Sequence, residues 1–197
     1  MKHRFLSHAL LLGLGLAGGW AVTAMSGQDP VVATAAVDAT DESEVVLPLE
    51  TLDWMIGDWV AETDSHVFSF SCKFSKNNAF LIRSFQVDDK AEPANNFSGM
   101  QVVAWDPSQS LIRSWTFDAN GGFGEDVWSQ VGDKYTLRAK YTLPDGGKGA
   151  AIHSLVFIDD NSFGWKSAHR EIDGELQPDV DEIVFQRVAT DATASGN

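Results

Sequence analysis

From Gly57 onward the chain repeats one rhythm, a short stretch of alternating apolar and polar residues followed by a short polar break, and this limits the possible folds more than any other feature. The alternation recurs around Trp59 and over 67–74, 80–87, 99–105, 111–117, 125–131, 135–143, 151–158, 163–170 and 182–188. A period of two puts successive side chains on opposite faces of a strand, and Val, Ile, Phe, Trp and Tyr suit a pleated, half-buried surface. The breaks at 75–78, 106–108, 132–133, 144–147 and 159–161 carry Asn, Asp, Gly, Pro and Ser, the residues of tight hairpin connections. About ten strands joined in this way predict an all-β fold, for which up-and-down connection is the simplest topology. Closing the meander into a single antiparallel β-barrel removes its exposed edges and leaves an interior able to hold a small ligand. Ahead of the first strand, residues 49–56 predict a short N-terminal helix with Leu49, Leu52 and Ile56 on one side and Gly57 as its stop.

Flanking segments have other compositions. Residues 1–28 read as a signal peptide, with Lys2, His3 and Arg4 as the basic start, an apolar run over 10–22, and a cleavage site after Ala24. The alternative is an N-terminal membrane anchor, since 5–25 nearly spans a bilayer, but the apolar centre is short and rich in glycine. The expected location is therefore outside the cytoplasm, periplasmic or extracellular, with no integral membrane span left after leader removal. Residues 29–48 lack any period and contain Asp38, Asp41, Glu42 and Glu44, as a flexible acidic spacer does. The barrel domain is expected over 49–188, near the usual domain size, and 189–197 form a small, polar, disordered tail. The whole chain carries a formal charge of −14; without Lys2 and Arg4, 12 basic residues face 28 acidic ones, giving −16. That acidity disfavours nucleic acid and anionic membrane surfaces, so neither is expected as a partner. The sequence names no protein partner.

Within the strands, Leu81-Ile82-Arg83-Ser84-Phe85-Gln86-Val87-Asp88 returns as Leu111-Ile112-Arg113-Ser114-Trp115-Thr116-Phe117-Asp118. Each copy sets an arginine on the face that also carries Leu and an aromatic residue. Two copies separated by one antiparallel neighbour run parallel, so both guanidinium groups are expected in the same lumen. A charge on an apolar face must be paired, hydrated or bound to a ligand. Arg83 and Arg113 therefore either grip a carboxylate through their planar forks or pair with an internal acid such as Glu125 and merely close the barrel. Glu125 shares parity with Val127 and Val131 and is expected near the lumen mouth, as an ion-pair partner more than a proton carrier.

His153 alternates with Leu155 and Phe157, and His169 with Phe163 and Trp165, so both are candidates for the lumen. Neither belongs to a zinc-binding pattern, and His66, His153 and His169 are read as satisfied or surface histidines before ligands of metal or haem. Trp115 and Trp165 are expected to line the pocket, while Trp54 and Trp59 plug the closed end. Cys72, the only cysteine, alternates with Phe70 and Phe74 and reads as packing, with no disulfide possible. There is no G-x-S-x-G elbow, phosphate-binding loop or dinucleotide glycine fingerprint. The acids at 173–182 lack the calcium-loop pattern. No metal, cofactor or catalytic residue is assigned.

Leu52-Asp53-Trp54-Met55-Ile56-Gly57-Asp58-Trp59 resembles the start of calycin-type barrels, where a short helix leads through Gly-x-Trp into the first strand. Gly99-Met100-Gln101-Val102-Val103-Ala104-Trp105-Asp106-Pro107, with Arg113 to Asp118, Gly121-Gly122-Phe123-Gly124-Glu125 and Trp165-Lys166-Ser167, resembles a lipocalin-like domain of unknown function in exported bacterial proteins. That domain often follows a SnoaL-like module, which this chain lacks before residue 49. The resemblance covers 49–188 and implies a barrel of about ten strands with little stated function. Nitrobindins and intracellular lipid-binding proteins are more distant comparisons, implying respectively a haem-ligating histidine and lumenal arginines that meet a carboxylate.

Three functions fit these residues. In the first, the barrel binds a small, partly apolar or anionic molecule at Arg83, Arg113, Trp115, Glu125, His153, Trp165 and His169. In the second, the same pocket performs acid–base chemistry through Glu125, His153 or His169. In the third, a filled barrel serves as a structural or partner-binding domain. The first is favoured, and enzymatic activity is not expected.

Overall fold

The computed structural model describes residues 49–189. The expected signal peptide (1–28) and spacer (29–48), and all but the first residue of the expected tail (189–197), lie outside the described residues. A 3₁₀ helix, Leu49–Met55, precedes eleven strands. These are β1 (Gly57–Glu62), β2 (His66–Phe74), β3 (Leu81–Asp89), β4 (Phe97–Asp106), β5 (Leu111–Asp118), β6 (Phe123–Val131), β7 (Lys134–Thr142), β8 (Lys148–Asp159), β9 (Ser162–Ile172), β10 (Glu175–Gln177) and β11 (Val180–Arg187).

Strands β1 to β9 pair each with the next, all antiparallel, and β11 closes the ring by pairing with both β9 and β1. The result is a closed ten-strand antiparallel barrel, as the alternation predicts, of a lipocalin-like kind. Strand β7 shows how directly burial follows the period: Tyr135, Leu137, Ala139 and Tyr141 are buried and every residue between them is more exposed. The one strand that the sequence does not announce is β10, three residues hairpinned onto the end of β9 through Asp173-Gly174, both at positive φ. Asp-Gly is a favoured pair for that turn.

The N-terminal helix differs from expectation in its pitch. Leu49, Leu52 and Met55 are its buried residues, a spacing of three that matches the three residues per turn of a 3₁₀ helix, while Ile56 falls outside it. These side chains close one end of the barrel against Trp59, Leu81, Val103, Ile112 and Phe163. Trp54 joins the plug edge-on to Trp59 and Phe163. Arg187 locks that end: its guanidinium lies 4.2 Å from the Trp59 ring and donates to the carbonyls of Trp54 and Ile56. Gly57 makes this possible, because its φ of +117° suits only glycine and a Cβ there would collide with the Arg187 guanidinium. A second apolar cluster, including Val87, Phe97, Tyr141 and Leu143, fills the opposite end.

Candidate functional site

Between the two clusters lies a cavity of about 130 Å³, bounded by residues of both. A ladder of directly opposed residues crosses its wall: Arg83, Gln101 and Thr116 on β3, β4 and β5, then Gly124 and Tyr141 on β6 and β7. The glycine is needed because the Tyr141 ring lies over it, where a Cβ would collide. The lumen is therefore apolar at both ends and polar across its middle.

Arg83 is the centre of that belt. Its guanidinium sits 4.9 Å from the Phe70 ring, and among the described residues no carboxylate forms an ion pair with it and its Nε has no hydrogen-bond partner. Burial lowers its pKa, against the attraction of Cys72 and Asp126. Across the cavity the Tyr141 hydroxyl lies 2.8 Å from His153 Nε2, and the His153 ring stacks on Trp165 with centroids 5.7 Å apart. Burial raises the Tyr141 pKa well above its usual 10, while burial and the charges of Arg83 and Arg170 bring His153 down to about 3. The phenol is therefore protonated and the imidazole neutral at pH 7. The O–H donates to Nε2, leaving the buried Nδ1 without a partner.

Asp126 lies behind the belt, 1% exposed. Its Oδ2 accepts from Ser114 Oγ at 2.6 Å and from Gln101 Nε2 at 3.0 Å, while Ser114 Oγ accepts from Trp128 Nε1 at 2.8 Å. Burial raises its pKa to about 6, opposed by these hydrogen bonds and by Arg83. Asp126 Oδ1 and Gln101 Oε1 remain unpartnered, so the network is only partly satisfied. Cys72, pushed up by burial to about 11, stays a thiol.

Of the seven residues expected at the site, Arg83, His153 and Trp165 border the cavity. The other four do not. Arg113, Trp115 and Glu125 are corrected to the outer face of the barrel. There Arg113 donates to Glu125 Oε2 at 2.8 Å, lies 3.5 Å from Asp106 Oδ2, and has its guanidinium 5.7 Å from the Trp115 ring. The two arginines diverge because their strands meet β4 with opposite parity: Arg83 lies opposite inward Gln101, whereas Arg113 lies opposite Ala104. A change of one residue in phase exchanges every side chain between faces.

His169 is corrected for another reason. Where β8 pairs with β9, the register slips between Ala150 and Ile152, and His169 sits in that bulge at φ +50°. The extra residue turns His169 out to solvent and brings Arg170 in, fully buried and donating to the Pro178 carbonyl.

The inner polar residues Gln101, Thr116, Asp126 and Tyr141 escaped the sequence reading. One signal was present for Asp126, which alternates with Trp128. Pairing Glu125 with Val127 and Val131 selected the wrong face, and Val131 proves to be 61% exposed.

Among the described residues no helix is long and apolar enough to cross a membrane, and no group of three His, Cys, Asp or Glu side chains converges as a metal site. The chain matches no protein-family model, and no curated protein sequence matches it.

Proposed function

We propose that the barrel binds a small, partly apolar anion in its lumen, with the charged end on Arg83. The observation that carries this is the guanidinium itself, held in a cavity bounded mainly by apolar side chains without an ion-pair partner among the described residues. A charge held among apolar side chains and only partly reached by water is costly, and a bidentate anion matches the group it lacks. Arg113 has no part in the site, because Glu125 already pairs with it outside. The acid–base alternative has less support: the lumenal imidazole is neutral and its Nε2 is already engaged by Tyr141. A wholly filled barrel fits poorly with 130 Å³ of interior space. The basic start and apolar run of residues 1–28, read as a leader, extend the proposal to a protein acting outside the cytoplasm.

Native mass spectrometry of gently purified full-length protein, before and after denaturation, tests the reading. We expect a small anionic molecule released from the wild type and absent from Arg83→Met. Equal ligand content in the two proteins would refute it.

A further inference from the structure

The space around Arg83 also constrains the rest of the ligand. We infer that the occupant is a monocyclic aromatic carboxylate, an inference that rests on the anion-binding reading above and names its chemical class.

Size comes first. An apolar cavity of about 150 Å³ is known to accommodate benzene, and this one measures about 130 Å³. The space therefore suits one ring with a compact charged substituent. A long acyl chain anchored at Arg83 would have to displace either the plug around Trp59 and Leu52 or the cluster around Val87 and Phe97. Forcing additional methylenes into a packed core strains side chains and backbone.

The wall supplies the second argument. Eight of the sixteen residues bordering the cavity are Phe, Tyr or Trp. Aromatic walls present edges and faces that pair with a ring at centroid separations of about 4.5–7 Å. The existing pairs already adopt such geometries, including Phe85 with Phe97 at 5.6 Å and Phe163 with Phe185 at 5.0 Å. A ring also loses less rotational freedom on binding than an alkyl chain.

Polar side chains await the charged end. Arg83 stands on the polar belt with Gln101, Thr116 and Tyr141, each of which borders the cavity. A neutral ring of the same size would leave the guanidinium unpartnered. A carboxylate on the ring would meet it while the ring rests against Phe70, Phe85 and Trp165.

Three probes separate these arguments in titrations of the full chain at pH 7, read by calorimetry and tryptophan fluorescence: benzoate, decanoate and benzyl alcohol. We expect benzoate to bind saturably and at least about tenfold more tightly than either other probe, a difference of about 1.4 kcal/mol. Arg83→Met should lose that advantage for benzoate while leaving benzyl alcohol unchanged. Arg83→Lys, which keeps the charge but loses the fork, should fall between. Decanoate binding as tightly as benzoate would overturn the ring class and leave the anion site standing. Benzyl alcohol matching benzoate would overturn the anion anchor. Absence of saturation by all three up to about 10 mM, a free energy near −3 kcal/mol, would overturn both readings. The wild-type ranking decides among these outcomes even if Arg83→Met fails to fold.

Discussion

Strands β3 and β5 begin with the same four residues, Leu-Ile-Arg-Ser, continue into an aromatic residue, and turn opposite faces to the barrel interior. In β3, Leu81 and Val87 are buried and Arg83 and Phe85 border the cavity. In β5, Ile112, Ser114 and Thr116 face in, while Arg113, Trp115 and Phe117 face out. The second arrangement looks unfavourable, since Phe117 is left 48% exposed beside Met100 and Phe123 at 42% and 52%. Leaving half of a phenylalanine in water forfeits about 1 kcal/mol of its burial energy. Turning β5 over would take Ser114 from both Asp126 and Trp128 and leave buried polar groups unsatisfied at about 1–3 kcal/mol each. The β4–β5 turn, with Asp106 opposite Leu111 and Ser110 at φ +54°, enforces the same register. A strand's face is thus chosen by its partners, and an apolar residue yields when a buried carboxyl needs donors.

The largest expected effects come from the polar interior that β5 helps to hold. Folding raises the Asp126 pKa from 3.8 to about 6, so its contribution to stability is fully present below pH 4 and is lost as pH rises through 6. Folding lowers His153 from 6.5 to about 3, so its contribution is present above pH 6.5 and is lost as pH falls towards 3. The two slopes oppose each other, and the wild type should show little net change between pH 4 and 6. Asp126→Asn should be more stable than wild type at pH 7, by on the order of 3 kcal/mol, and should weaken steadily on acidification. His153→Gln should show the reverse slope. Urea midpoints across pH 4–8 check both, and parallel pH profiles for the two variants would contradict the opposition.

Opposite signs are expected for the two arginines. At pH 5, where Asp126 is mostly protonated, Arg83→Met removes a partly buried charge without an ion-pair partner and should raise stability by about 1–3 kcal/mol. Arg113→Met breaks its pairs with Glu125 and Asp106 on the outer face and should lower it by about 1 kcal/mol. If both variants shift the thermal midpoint in the same direction, the contrast between the two faces fails. Ser114→Ala, which removes a donor to Asp126 and the acceptor of Trp128, should cost about 1–3 kcal/mol, measured by chemical denaturation. Glu125→Gln should move stability by no more than about 0.5 kcal/mol, because its side chain is half in water and it keeps a hydrogen-bonding oxygen for Arg113.

These contrasts also mark how much the sequence could show. Alternation and turn chemistry were enough for the barrel, because a period of two and polar breaks between strands are local properties. The same period cannot say which face is inward when both carry apolar residues, as in β5, and so Arg113, Trp115 and Glu125 were placed in the lumen. His169 was misplaced because a one-residue bulge leaves no mark in hydrophobic periodicity. Arg83, His153 and Trp165 lie on stretches of β3, β8 and β9 clear of the register slips, where residues of the same parity share the inner face. The Asp126 network was hidden by the adjacency of two acids, only one of which faces inward.

Closure of the ring by β11 sets a timetable. The first strand and the last are neighbours, and Arg187 reaches back across 131 residues to the Ile56 carbonyl. During synthesis every shorter chain has an open sheet, with β1 and β9 showing edges able to recruit other strands. The cavity, its aromatic wall and its buried arginine come into existence only when the final strand arrives, so a chain truncated before Val180 would lack both the seal and the site.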